Sequence, residues 1–471
     1  MLFNSFQFLI FFVTVTLLYY AISLKWRWLL LLIASCYFYA VLIPVYLLVL
    51  FAIILIDYCA GIFIERSSGK KRKLFLAASI VANIGALAIF KYHNFFVENV
   101  NDLLSLLNIQ VNPFPLWHLL LPVGLSFHTF QAMSYTIEVY RGNQKPEKHL
   151  GIYALYVMFY PQLVAGPIER PQNLLHQFYE KHSPDFENIS SGLKTMLWGF
   201  FMKVVVADRL AIYVDYVYTD VISHSRMALV LASFFYSFQI YCDFAGYSLI
   251  AIGAARVMGF KLSENFHQPY LSSSITDFWR RWHKTLSGWF RDYLYIPLGG
   301  NKVSQLRFTF NILVVFILSG LWHGANWTFI VWGVTHGLFI IIESLINKNR
   351  KPKQGVRIVS YFYSFLIVTI SWVLFRSANL NEAFTFIKRI VASNTPLQID
   401  GEFNERALLL YSFFGITCVV LADIKNEFFS NKHFLLYSKN SAVRIAASII
   451  LIVIILMLGV FDGSQFIYFQ F

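Results

Sequence analysis

Long apolar runs follow one another along this chain, near residues 2–22, 28–43, 45–64, 74–91, 117–139, 151–168, 192–207, 228–255, 309–320, 325–346, 357–375, 406–423 and 442–461. A helix covers the hydrocarbon core of a bilayer with about 20 apolar residues, so these runs predict an all-α polytopic membrane protein. The run at 28–43 is short. The run at 309–320 is too short to cross alone, which predicts a re-entrant segment there. Between 256 and 308 the chain turns basic and aromatic and is interrupted by Pro269, Pro297 and Gly299-Gly300. Irregular backbone at membrane depth is tolerated only where protein buries it or water lines it. This stretch is therefore expected to be amphipathic and re-entrant on the cytoplasmic side, walling a cavity. The chain reads as one membrane domain, 1–471. It comprises N-terminal helices (1–140), a core (141–345, with its re-entrant part at 256–324), C-terminal helices (346–460) and an aromatic tail (461–471).

Composition sharpens the class. The chain is 58% hydrophobic and 13% charged, against about 25% charged for a soluble domain. The net charge of +13 suggests nucleic acid only until the basic residues are placed. Many sit in short clusters between apolar runs, such as Arg66–Lys73 and Lys348–Lys353, and these read as cytoplasmic loops. Nucleic acid is excluded as a partner; membrane lipid is the expected one. Charge then puts both termini outside the cytoplasm. The first run lacks a basic start and a cleavage site, so it is expected to be retained as a helix. Cys36, Cys59, Cys242 and Cys418 all lie in apolar runs without metal-ligand spacing.

Two histidines stand in tryptophan-rich frames: His283 in Trp279-Arg-Arg-Trp-His, and His323 in Ser319-Gly-Leu-Trp-His-Gly-Ala-Asn326-Trp327. A titratable group in an apolar run is costly unless something uses it. His323 reads either as a general base, suited by its ordinary pKa, or as a core histidine bonded across helices. On a continuous helix Asn326 and Trp327 share its face. His283, with Asp277, Arg280, Arg281, Lys284 and Arg291 around it, reads either as a second site residue or as part of an interfacial helix. In that second reading Trp279, Trp282 and Trp289 sit at the headgroups and the arginines snorkel. A metal site lacks a third ligand at suitable spacing; His336 is several turns from His323. Gln239, Asp243 and Tyr247 share a helical face, for a cavity or for an interhelical bond. Tyr160–Pro171 is a proline-broken helix end. The tail Phe466-Ile-Tyr468-Phe-Gln-Phe471 is an interfacial anchor or a segment that turns back and presents the Tyr468 hydroxyl.

Phe238–Ser248, Asp277–His283, Trp289–Asn301 and Ser319–Gly324 together resemble the membrane-bound O-acyltransferase superfamily, most closely its bacterial alginate O-acetyltransferase branch. The resemblance covers nearly the whole chain. It departs at Ala245, where Ser is common, and at Ser248-Leu249, where Ser-Asp is usual; Asp243 is left as the acid of that helix. The resemblance implies a ring of about 11 transmembrane helices, with re-entrant helices around a central tunnel. It implies acyl transfer from cytoplasmic acetyl-CoA to an extracytoplasmic acceptor, with His323 as the essential residue and His283 as its partner. Asn326 and Asp243 then orient the reacting groups. Arg280, Arg281, Lys284 and Arg291 are the expected phosphate-binding groups for the donor, and no metal is required. The tail is similar to a tyrosine motif of this branch, which makes Tyr468 a candidate acyl relay. The setting implied is the bacterial cytoplasmic membrane, with an esterase-like extracytoplasmic acetyltransferase as partner and a polysaccharide as final acceptor. Two alternatives stay open: a carrier-protein donor such as a D-alanyl carrier, and a transporter or flippase without covalent chemistry.

Overall fold

A computed structural model describes the chain except residues 42, 110–112, 118, 120, 165, 348–357, 393–405, 430–434, 462–465 and 468–471. The described residues are overwhelmingly helical. Eight helical stretches among them are long and apolar enough to cross a membrane: Tyr46–Arg66, Gly69–Leu106, Arg226–Val257, Gln305–His323, Trp327–Ile346, Ile358–Arg376, Ala407–Phe428 and Ser441–Leu458. The protein is a multi-pass membrane protein. The basic cluster at 348–353 and the tyrosine of the tail lie outside the described residues.

Two expected elements differ. The stretch read as re-entrant at 309–320 is a helix of 19 residues, Gln305–His323, about 28 Å long at 1.5 Å per residue. It begins earlier because Ser304 caps it, accepting the Arg307 N–H at 3.4 Å. Arg307 and Asn311 interrupt the apolar pattern without interrupting the helix. The run at 151–168 yields only the nine-residue helix Leu150–Met158. Pro161 lacks an N–H, and the side-chain amides of Gln131 (2.6 Å) and Gln162 (2.9 Å) donate to the Tyr156 carbonyl.

The chain divides into two compact units. The first is mainly Met1–Ser190 with Ala254–Ser263. Its helices Tyr46–Arg66, Gly69–Leu87 and Leu125–Arg141 are joined by a buried polar knot. Asp57 accepts from Ser79 Oγ (2.6 Å) and Asn83 Nδ2 (2.9 Å), and Ser79 also meets Thr136 Oγ1 at 2.9 Å. The segment after Met258 is held by Gln177, which exchanges two bonds with Lys261, and by Glu169, which accepts from Ser263. The broken-helix motif around Pro161–Pro171 thus does structural bonding here.

The second unit comprises Ser191–Gly253 and Glu264–Gln470. Most of the 32-residue helix Arg226–Val257 runs through it and is largely buried. Small residues let a neighbouring helix approach closely. A Cβ on Gly246 would lie 2.8 Å from the Gly199 carbonyl, and one on Gly199 would lie 2.7 Å from the Gly246 carbonyl. Just past that crossing, Phe201–Ala207 widens into a buried π-helical turn, which brings Lys203 against the Arg226–Val257 helix. The helices Gln305–His323 and Trp327–Asn347 pack more closely still: a Cβ on Gly333 would lie 2.2 Å from the Phe316 carbonyl, and one on Gly320 would lie 2.3 Å from the Phe329 carbonyl.

Candidate active site

All the interactions that follow lie within the second unit. His323 is the last residue of its helix; Gly324 ends the helix in extended backbone. The ring is 2% exposed. It meets Trp322 (5.0 Å between centroids), Trp332 (5.1 Å) and Phe375 (5.4 Å) edge-on. Trp332 is fully buried, stacks on Trp372 at 5.7 Å, and its Nε1–H has no hydrogen-bond acceptor among the described residues. An indole donor is thus buried beside the histidine with its bonding capacity in reserve.

Asn326 is not on the face of His323. The helix has already ended, and Asn326 heads the next one: its Oδ1 accepts from Thr328 N–H at 3.0 Å and its Nδ2 donates to the Ala378 carbonyl at 2.8 Å. The glycine that lets the chain turn also separates the two residues. The amide is thus engaged on both its oxygen and its nitrogen.

His283 sits between two short helices, Ile275–Arg281 and Lys284–Phe290, with a left-handed backbone (φ +42°). It is fully buried, and burial pushes its pKa down to about 3. Its Nδ1 lies 3.0 Å from Asn265 Oδ1. The orientation of that amide follows from its other bonds: the Thr285 hydroxyl (2.9 Å) and backbone N–H (3.4 Å) donate to the same Oδ1, while Nδ2 donates to Ser248 Oγ at 3.2 Å. A backbone N–H can only donate, so Oδ1 is an acceptor there. Nδ1 of His283 therefore carries the proton and Nε2 is the ring's basic nitrogen. Ser248 is part of this support.

The two histidines are linked through rings. Trp322 contacts His323 and also His283, at 6.0 Å. Phe244 meets His283 at 4.7 Å and Phe466, from the tail, at 5.5 Å. Phe466 also lies against Tyr247 at 4.7 Å, and the Ile467 N–H donates to Asp243 Oδ2 at 2.8 Å. Phe466 and Ile467 are 1% and 3% exposed, so this part of the tail turns inward. Tyr468, the next residue, lies outside the described residues.

Trp279, Trp282 and Trp289 are buried, which rules out the reading that placed them at the headgroups. Trp279 Nε1–H donates to His336 Nδ1 (3.3 Å), and His336 Nε2 meets Ser371 Oγ at 2.9 Å. His336 is thus a bonded core residue, joining this motif to two membrane helices. The first motif helix is held by Glu343, whose carboxylate accepts from the N–H groups of Ile275 (2.6 Å) and Thr276 (3.0 Å), where a helix N-terminus favours negative charge.

Of the basic residues expected to bind donor phosphates, three already face carboxylates. Arg281 is bidentate to Glu427 (2.9 and 3.0 Å) and bonds Asp277 at 3.0 Å; Lys284 pairs with Glu264, and Arg291 with Asp292 at 2.7 Å. Arg280 is exposed and has no carboxylate partner among the described residues.

Sequence reasoning missed Asn265, Lys203 and Glu343. Lys203 bridges Asp208 (2.8 Å) and Asp243 (2.7 Å), all deeply buried. A lysine inside an apolar run opposite an acid inside another was a readable signal. Asn265, in an irregular segment, gave none.

The family model for the membrane-bound O-acyltransferases matches residues 149–384. A probable alginate O-acetylase of Pseudomonas aeruginosa is 40% identical over 399 residues, covering 84% of this chain and 76% of the relative. A peptidoglycan O-acetyltransferase of Helicobacter pylori is 35% identical, covering 77% of this chain and 73% of the relative. A teichoic acid D-alanyltransferase of Streptococcus thermophilus is 29% identical, covering 62% and 76%.

Proposed function

This chain belongs to the membrane-bound O-acyltransferase family and is a multi-pass membrane acyltransferase; from that premise we propose that it moves an acetyl group from cytoplasmic acetyl-CoA to an extracytoplasmic acceptor, for O-acetylation of a polysaccharide. A transporter without covalent chemistry falls with family membership. The observation that carries the reading is the buried ring path His323–Trp322–His283–Phe244–Phe466, which runs from the histidine pair to the inward-turned tail.

His323 is the base. A phenol titrates near about 10 and needs a partner to lose its proton at neutral pH. In this mechanism His323 takes the Tyr468 Oη proton as the oxygen attacks the thioester carbonyl. The Trp332 Nε1–H is the available donor for the developing oxyanion. The C–S bond breaks, the thiolate leaves and recovers the proton from His323, and acetyl remains as a tyrosyl ester. A hydroxyl of the acceptor, or of an esterase-like extracytoplasmic partner, then displaces the phenol. His283, with its tautomer set by Asn265, orients the thioester through Nε2. Arg280 is the basic residue best placed by its exposure for the phosphates of the donor. Asp243 takes no chemical part.

The test is purified protein in nanodiscs with acetyl-labelled CoA. Label should appear on the chain and pass to acceptor, and His323→Ala should abolish both while the protein remains folded. Retained transfer in His323→Ala overturns the assignment. The D-alanyltransferase relative supports one rival donor, a carrier-linked D-alanyl group; charging by D-alanyl carrier and not by acetyl-CoA would select it.

A further inference from the structure

Asp243 has two different oxygens. Oδ1 faces Lys203 Nζ at 2.7 Å; Oδ2 accepts the Ile467 N–H at 2.8 Å. Lys203 also faces Asp208 at 2.8 Å, and all three side chains are about 5% exposed or less. Two buried carboxyl groups share one ammonium here. Buried carboxyl oxygens call for donors, and the tail backbone supplies one to Asp243. Beside it, Phe244 and Tyr247 receive the Phe466 ring. Positions 243, 244 and 247 share one side of the Arg226–Val257 helix. A second bond, Val460 N–H to the Val204 carbonyl at 2.9 Å, ties the start of the tail to the π-helical turn that carries Lys203.

We propose that Lys203, Asp208 and Asp243 form a charged clamp whose function is to hold the tail backbone at Ile467, and that Asp243 is a positioning residue for acyl transfer. The bond holds the Phe466–Ile467 peptide unit, so the clamp anchors the chain one residue before Tyr468. The bond is to backbone, so it constrains the tail whatever side chain stands at 467; the Phe466 pocket sets its register. This role rests on the Tyr468 relay reading for its catalytic consequence, and on the contacts above for the docking itself.

The clamp can be opened from either side. Asp243→Ala removes the acceptor. Ile467→Pro removes the donor, since proline has no N–H, and it changes no residue of the buried ion set or of any membrane helix. In a chain whose four cysteines are replaced by alanine, Phe466→Cys reports the tail by its rate of maleimide labelling in detergent. Adding Asp243→Ala or Ile467→Pro should raise that rate about tenfold or more. In the otherwise native chain, Ile467→Pro should lower kcat for acetyl transfer about tenfold with KM for acetyl-CoA within about twofold. Unchanged labelling with both substitutions overturns the clamp. Faster labelling with undiminished transfer keeps the clamp and overturns its catalytic role. Tyr468→Phe with full transfer overturns the relay reading alone, because the labelling assay does not depend on it.

Discussion

His283 and Phe466 lie on one ring: Phe244 meets the first at 4.7 Å and the second at 5.5 Å. The histidine motif and the tail therefore share a side chain. Phe244→Leu keeps most of the volume and should cost less than about 1.5 kcal/mol, yet it removes both ring contacts. The expected outcome is a folded protein, by thermal melting in detergent, with reduced acetyl transfer and faster labelling at position 466.

Tyr468→Phe deletes the proposed acyl acceptor and nothing else. Transfer of labelled acetyl to polymer should fall to background, and tryptic peptides containing residue 468 should lose their label. Full transfer would remove the tyrosine from the mechanism.

Asn265→Ala leaves the His283 Nδ1–H and the Thr285 donors without their shared acceptor. Stability should fall by about 1–3 kcal/mol. Turnover should fall as the ring loses its fixed tautomer, with kcat more affected than KM for acetyl-CoA. A purely structural asparagine would lower yield and melting temperature but leave kcat of the surviving protein unchanged.

His283 lies outside the membrane-spanning helices and predicts a pH dependence. In the unfolded chain its ring titrates near 6.5; folded, burial pushes it to about 3. Between those values the unfolded state binds one more proton, so stability rises with pH there. It is lost as pH falls from 6.5 toward 3, with a limiting slope of about 1.4 kcal/mol per pH unit. Melting curves of His283→Asn should show a flatter acid limb than the native chain.

Gly320→Val and Gly333→Val place a branched side chain where a Cβ alone would already lie 2.3 and 2.2 Å from a backbone carbonyl atom. Two helices must separate, and His323 rides on one of them. Both variants should lose transfer and most folded protein. Gly85→Val, where nothing lies within 4 Å of the added Cβ, is the comparison and should accumulate normally in the membrane.

The helices were legible because apolar length is a strong local signal; most lie within a few residues of the runs that predicted them. The misreadings share a cause. The run at 309–320 reads as too short because the apolar pattern begins only after Arg307, although a helix needs only its backbone bonds: Ser304 caps the start, and Asn311 Nδ2 donates to the Gly300 carbonyl at 3.1 Å. Asn326 was placed on the face of His323 by counting through a glycine that ends the helix. The tryptophans of the first motif were legible as aromatic but not as buried, since belt and core use the same residue. The histidine pair was visible as an anomaly in an apolar chain. Asn265 was not, because its partners come from distant irregular segments.

The left-handed backbone at His283 restricts how this position can change. Among non-glycine residues, Asn, Asp and His are the ones enriched in that conformation. In the genetic code, histidine is one base change from Asn and Asp, and from Tyr, Leu, Pro, Arg and Gln. Of these seven single-step neighbours only the first two keep the backbone comfortable. Drift at this codon is therefore channelled by main-chain geometry before selection on chemistry begins, and histidine, asparagine and aspartate should be the residues that exchange here.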